Sequence, residues 1–292
     1  MSLTKTYTDK IYRLKSKYDN LKIGKEKLLQ MIDEVEVSES VYNSNAIENS
    51  SLTLSDTERI LIDLELSKNT SIREVFEVKN LARVIEHLSK KKSLPSLSVD
   101  MILFIHNILL TGIKDQWAGR FRQAGEFVKV GNHIAPAPEL VMQKVDNLII
   151  KYNDRISKPL DPIVKIANFH LEFETIHPFC DGNGRVGRVL INYQLNQVGF
   201  PLIIIRDSQK QVYYKCFDQY RINNSNDNIS KVIALALIES LHKRLAYLES
   251  KNIIKLSEYI KQNKLSAGNV TNKAKSQTIQ AFREKGIWMI GV

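Results

Sequence analysis

Ile176-His177-Pro178-Phe179-Cys180-Asp181-Gly182-Asn183-Gly184-Arg185-Val186-Gly187-Arg188 is the stretch on which the reading of the chain turns. It falls between two segments of helical period. Asp161-Pro162 is a helix start, with Asp as N-cap and Pro in the first turn, and leads into Ile163 to Ile176. A second helix is expected to open near Gly184 and to run through Leu190, Ile191 and Leu195 until Gly199-Phe200-Pro201 stops it. A helix N-terminus offers unpaired backbone N–H groups and the positive end of the macrodipole, which favour an anion. Gly182 and Gly184 let the backbone fold into a nest of converging amides. Arg185 and Arg188, three apart, project from one side of the first turn, and guanidinium forks suit phosphate oxygens. The combination points to a polyphosphate. Asp181 would repel such a ligand unless a divalent cation bridged the two, so Mg²⁺ is expected on Asp181 and the phosphates. His177 lies near enough to take a proton from an attacking hydroxyl.

Each part alone has an ordinary reading: a hydrogen-bonding His before Pro, a turn, a solvated arginine pair. Order and spacing together take most of the weight from those readings. Gly182-Asn183-Gly184-Arg185-Val186-Gly187 also fits G-x-G-x-x-G, with Asp207 twenty residues on. A dinucleotide fingerprint requires a strand just before the glycines, whereas Asp161 to Ile176 reads as a helix. No Gly-Lys-Ser or Gly-Lys-Thr supports a Walker A loop. A Cys180–His177 thiol dyad lacks an adjacent oxyanion device.

Outward from the loop the period stays helical: Val75, Val78, Leu81, Ala82, Ile85 and Leu88, then Met101 to Leu110, Leu140 to Tyr152, and a long helix from Ile229 to Ser250. The exception is Phe121 to Pro138, where Phe127, Val128 and Val130 precede a Gly131-Asn132 turn, a short hairpin inserted among helices. Of 292 residues, 43% are hydrophobic and 25% charged, a globular balance; Gly 12 and Pro 7 are too few for a disordered or turn-rich all-β chain. Cys180 and Cys216 cannot build a disulfide framework or a thiolate zinc site. The start lacks a signal-peptide core, and no apolar stretch approaches the roughly 20 residues of a membrane span, so a cytoplasmic protein is expected. Boundaries are expected near Ser93 to Ser98 and Ser250 to Ile253. Residues 251–292 carry eight basic side chains against Glu258 and Glu284, more than half of the net charge of +10. That surplus hints at an anionic partner.

The segment His177 to Arg188 resembles the signature of the Fic family, H-P-F-x-D-G-N-G-R-x-x-R, with all nine specified positions matched. Gly119-Arg-Phe-Arg122 and Val128 to Pro136 resemble the family's approach strand and flap, Ser208 to Tyr214 the helix that follows, and the likeness spans roughly residues 97 to 225. The resemblance implies a mainly α fold: a Fic-type helical bundle with a short β-hairpin flap. Its implied activity is transfer of AMP from ATP to a Tyr, Thr or Ser hydroxyl of a protein, a protein adenylyltransferase. It implies His177 as base and Asp181 on Mg²⁺. Gly182, Asn183 and Gly184 would form the anion hole, Val186 and Gly187 would lie within the ATP-binding run, Arg185 would sit near the α-phosphate and Arg188 on the γ-phosphate. Phe179 would pack beneath the loop and Tyr214 near the adenine, with Val130, Gly131, Asn132 and His133 as a flap aligning the target by strand addition. The related pattern H-x-F-x-N-A-N-K-R transfers phosphate; Asp181, Gly182 and Arg185 favour AMP.

Ser44-Asn-Ala-Ile-Glu48-Asn49 resembles the family's inhibitory motif, [S/T]-x-x-x-E-[G/N]. Ser44 and Glu48 share a helix face, and Glu48 paired with Arg188 would occupy the guanidinium the γ-phosphate needs. A self-inhibited enzyme is expected, with removal of AMP as a further activity of the same Glu. Residues 253–292 resemble a winged helix, read with a turn around Ser266-Ala-Gly268 and a helix near Lys275 to Lys285. The expected divisions are 1–96 with the motif at 44–49, a Fic core at 97–225, a connecting helix at 226–252, and the C-terminal module. Expected partners are ATP and a protein substrate, the chain itself included, with a homodimer and DNA at the basic module also admitted. Two alternatives stay open: a DNA-associated regulator with a sensory nucleotide site, and a Fic-type transferase of phosphate or another nucleotide.

Overall fold

The computed structural model describes residues 5–62, 70–89, 94–154 and 161–292. Two helices form the centre, and both are buried on nearly every face. The first, α7 (Pro162–Ile176), starts where Asp161 Oδ1 accepts the N–H of Ile163 at 2.9 Å, and it ends in left-handed backbone at His177, φ +49°. The second, α8 (Asn183–Gln197), opens from Gly182 at φ +82°. All-round burial follows from their position between two cores.

One core joins Ile163, Ile166 and Leu171 of α7 to Ile11 and Leu14 of α1 (Lys5–Leu21) and to Ile233, Leu237 and Leu241 of α10 (Asp227–Leu248). The other joins Phe169 and Phe173 of α7 and Val186 and Leu190 of α8 to α4 (Ile72–Ser89), α5 (Val99–Leu110) and α6 (Val141–Asn153). Thus α10, expected as a connector, is buried core. The short α3 (Leu54–Leu61) begins with a reciprocal Thr53/Asp56 capping box, and Ser98 caps α5. Ser93, the other end of the expected boundary, lies outside the described residues.

Helix α2 (Glu26–Ile47) lies against this bundle and is tied down by buried charge. Arg206 pairs with Glu39 of α2 and, at 3.0 Å, with Glu239 of α10; Arg244 pairs with Asp33 and, at 2.7 Å, Glu36. The hairpin of β1 (Lys129–Val130) and β2 (His133–Ile134) pairs Val130 with His133 around Gly131, φ +57°. After α9 (Lys210–Asn223) and α10, the C-terminal module runs β3 (Ile253–Lys255), α11 (Leu256–Gln262), α12 (Ala267–Lys275), β4 (Ala281–Glu284) and β5 (Ile287–Gly291), with the antiparallel order β3-β5-β4 and its own small core.

Two expectations for this module need correction. A helix, not a turn, begins at Ala267, and Ala281–Glu284 is a strand, not part of a helix. Lys285 and Gly286 both have positive φ, +50° and +80°, which makes a two-residue hairpin turn, and Phe282 then lies opposite Met289 and Arg283 opposite Trp288. No helix among the described residues is long and apolar enough to cross a membrane.

Candidate active site

The loop from His177 to Gly182 is held by three groups. Arg122, 3% exposed, donates from Nε to His177 O at 2.9 Å, from Nη2 to Pro136 O at 2.9 Å, and from Nη1 to Glu126 O at 3.0 Å. One guanidinium therefore ties the loop to the hairpin. Phe179, fully buried, stacks on His106 with centroids 3.6 Å apart. His106 Nδ1 accepts the N–H of Gly119 at 3.1 Å, so its Nε2–H donates to Asp181 O at 3.1 Å. Burial pushes that imidazole down to about 4, consistent with a neutral ring. Asn183 closes the loop on itself: its Oδ1 accepts from Phe179 N–H at 2.9 Å and its Nδ2 donates to Phe179 O at 2.8 Å.

That clasp changes the reading of Asn183, whose side chain is spent on the loop and leaves only its backbone N–H for a ligand. The first N–H of α8 to find an intrahelical acceptor is that of Val186, bonded to Gly182 O at 3.0 Å, so the amides before it are open. Val186 presents no side chain to the loop. It has no exposure and packs in the second core, because helical period turns it away from Arg185 and Arg188. Gly187 is also buried: a Cβ there would stand 2.6 Å from Glu174 Oε1 and 2.8 Å from His170 Cε1.

Arg188, 6% exposed, meets the end of α2. Its Nε donates to Ser44 Oγ at 2.9 Å, and its Nη2 donates to Ser44 O and Glu48 Oε1, both at 2.8 Å. Its Nη1 is buried without a partner. Tyr214 donates from its hydroxyl to Ile47 O at 2.9 Å, beside this same turn. Asp181 receives Arg185 Nη2 on Oδ1 and Arg73 Nη2 on Oδ2, each at 3.2 Å. Glu77 completes the square, facing Arg185 Nη1 at 3.2 Å and Arg73 Nε at 3.0 Å. Arg73 and Glu77 lie on α4, about a hundred residues upstream, and nothing in the local sequence marks them.

His177 lies at the lip of the loop, 15% exposed in its side chain, with Nδ1 buried and unpaired. Burial pushes its imidazole down to about 4. In the hairpin, His133 donates from Nε2 to Thr175 O at 2.8 Å, while Gly131 and Asn132 are exposed and Val130 half-buried. Burial and Glu126 push the Cys180 thiol up to about 11, which argues against a thiolate nucleophile. The structure thus brings together His177, Asp181, Gly182, Gly184, Arg185, Arg188, Ser44 and Glu48.

A helical scaffold thus presents open amides, two buried guanidiniums and an imidazole around one helix N-terminus. Residues 96–195 match the model of the Fic/DOC family, so this part of the chain is a Fic domain. It is 34% identical over 218 residues to Protein adenylyltransferase Fic of Nematostella vectensis, covering 72% of this chain and 49% of the relative. It is 29% identical over 235 residues to Protein adenylyltransferase fic-1 of Caenorhabditis briggsae, covering 80% of this chain and 43% of the relative. The chain therefore spans less than half the length of these relatives. Among solved structures, a Fic domain containing signaling protein from Bacteroides thetaiotaomicron superposes with a TM-score of 0.72 at 25% identity, over 83% of this chain and 98% of that one.

Proposed function

We propose that the protein transfers AMP from ATP to a hydroxyl of a protein. The observation that carries this reading is the helix start at Asn183, where open amides lie beside Arg185 and Arg188 with His177 at the lip. The amides of α8 would hold the phosphate undergoing attack, Arg185 its neighbour and Arg188 the γ-phosphate, so that charge developing at the α-phosphorus meets donors already in place. His177, neutral at physiological pH, would take the proton of the attacking hydroxyl while the bond to pyrophosphate breaks. The exposed Gly131-Asn132 turn is placed to order an extended target segment.

Asp181 would hold a divalent cation. Its carboxylate, 26% exposed, faces Arg73 and Arg185 at 3.2 Å each, and a cation shared with the phosphates would take the place of one of these guanidiniums. No group of three His, Cys, Asp or Glu side chains able to hold a metal occurs among the described residues, which fits a cation such as Mg²⁺ that keeps water and phosphate ligands. When bound, such an ion would offset charge on the phosphates.

In the same reading Glu48 is a brake. It occupies the Arg188 guanidinium that the γ-phosphate needs, and it fills the space above Gly184, where an added Cβ would overlap Glu48 Oε1. The test incubates wild type, Glu48→Gly and Glu48→Gly/His177→Ala with Mg²⁺, α-labelled ATP and cell lysate. Label on protein in Glu48→Gly alone is the expected result. No label from any variant that is folded and binds ATP would overturn it.

A further inference from the structure

Glu174 lies one helical turn before His177 on α7, 6% exposed, on the helix face that also carries His170. Packing gives no reason for a carboxyl there, and buried polar groups ordinarily find partners. Its Oε2 stands 3.8 Å from His177 Nδ1, just beyond hydrogen-bond distance; its Oε1 and that same Nδ1 are buried with no hydrogen bond, and the backbone carbonyl of Glu174 is the other acceptor beside the ring. Gly187 is what admits the carboxyl, since any larger residue would collide with Oε1. Besides His177, the groups that bear on it are His170 on α7, Arg188 on α8, Tyr213 and Arg221 on α9, and Glu48 at the end of α2.

We propose that Glu174 is a positioning residue for His177: its carboxylate takes the Nδ1–H of the imidazole and leaves Nε2 bare to accept the proton of the attacking hydroxyl. This rests on the transferase reading and concerns the same site. In the step, the hydroxyl oxygen bonds to the α-phosphorus, the bond to pyrophosphate breaks with its electron pair on the leaving oxygen, and the hydroxyl proton moves to Nε2. The imidazolium so formed faces the Glu174 carboxylate, as a base needs when no water can reach its far side.

The arrangement gives Glu48 a second effect. Burial first, and the charge of Glu48 next, push the Glu174 carboxyl up to about 8. With Glu48 in place the proton then favours Glu174 near neutral pH, and a small side-chain rotation that brought its O–H onto a bare Nδ1 would leave the ring proton on Nε2, the wrong tautomer for a base. Removing Glu48 removes one of those two forces and favours the carboxylate.

Long-range ¹⁵N–¹H correlation spectra of protein labelled with ¹⁵N-histidine, without nucleotide, read the tautomer directly; His177→Ala assigns the signal among the six histidines. Wild type should hold the Nε2–H form near pH 6.5 and pass to Nδ1–H as the pH rises through 8. Glu48→Gly should move that crossover to lower pH, and Glu174→Gln, which keeps the volume, should abolish it. In the Glu48→Gly background, Glu174→Gln should lower kcat at least tenfold with KM for ATP unchanged and flatten the rise of kcat with pH. A tautomer course identical in wild type and Glu174→Gln overturns the proposal, as does lost turnover with that course unaltered. The spectra need no catalysis, so a tautomer coupled to Glu174 without any label transfer would sink the transferase reading and spare this one.

Discussion

The proposed brake would draw its strength from the Arg188 contacts. Three bonds hold the guanidinium to the end of α2, and only the one to Glu48 joins opposite charges. The Arg188 side chain is 7% exposed and that of Glu48 37%. Breaking a fully buried pair costs about 3–5 kcal/mol, whereas an exposed one is worth about 0.2–1 kcal/mol. With one partner half wet, a charged hydrogen bond near the lower end of its range, about 2 kcal/mol, is the fitting figure. If that energy opposes the productive placement of ATP, Glu48→Gly should raise the initial rate of labelled AMP incorporation roughly 30-fold at fixed Mg-ATP.

The same loss should lower the melting temperature by only about 3 °C, since a chain of this length unfolds with an entropy of roughly 0.6 kcal/mol/K. Ser44→Ala removes one acceptor and no charge, so about 1 kcal/mol and roughly a fivefold rise are expected. Glu48→Gln keeps an acceptor and should fall between the two. A melting temperature lowered as expected in Glu48→Gly, with the rate unchanged, would make the pair a structural tie and nothing more. Equal release by Ser44→Ala and Glu48→Gly would show that charge is not the brake.

Glu239 accepts from Arg206 Nη2 and from the backbone N–H, Nε and Nη2 of Arg283, so Glu239→Ala leaves two largely buried guanidiniums short of a partner; calorimetry should show a loss of about 3–5 kcal/mol, or about 5–8 °C. Stability should peak near pH 6.5. Burial pushes His106, His177 and His242 down to about 4 and His170 to about 3, so the unfolded chain binds more protons between there and the ordinary 6.5, and stability is lost as pH falls through that window. Glu174, pushed up from 4.5 to about 8, acts oppositely: the folded state holds its proton longer, so stability is lost as pH rises toward 8, a limb that Glu174→Gln should flatten in melting curves. Gly182→Ala puts a Cβ 2.8 Å from Leu110 Cδ2 at φ +82°, which costs about 1–3 kcal/mol and should weaken ATP binding in titration calorimetry.

The central helices were legible because their ends are punctuated: Asp161-Pro162 opens α7, and Gly199-Phe200-Pro201 closes α8. The hairpin was legible from Gly131-Asn132 between β-formers. The tail misled because Ser276 to Lys285 has no clear period of its own; what makes Ala281–Glu284 a strand is its partner, Ile287–Gly291. Within the signature, helical period sends the Val186 side chain into the core and leaves Arg185 and Arg188 to face Asp181 and Glu48. Arg73 and Glu77 could not be read at all, because their link to Asp181 and Arg185 depends on how α4 packs. Glu174 did leave a trace: a carboxyl among buried residues of α7, spaced four after His170 and three before His177.

How a brake on Arg188 could be released is constrained by what holds α2. Asp33, Glu36 and Glu39 anchor it through Arg244, Lys243 and Arg206, and Ile32, Val41 and Ile47 are buried in the bundle. Moving the helix would break several buried pairs, each costing about 3–5 kcal/mol, to undo one contact worth about 2 kcal/mol. Glu48, by contrast, is the C-cap residue, followed by Asn49 in left-handed backbone at φ +69°. A side-chain rotation there frees Arg188 and the space over Gly184 without disturbing the helix. Amide exchange should therefore be unchanged from Leu29 to Asn43 between wild type and Glu48→Gly, and faster only from about Ser44 onward. Loss of protection along the whole of α2 would show that the helix itself moves, and that its ion pairs are part of the switch.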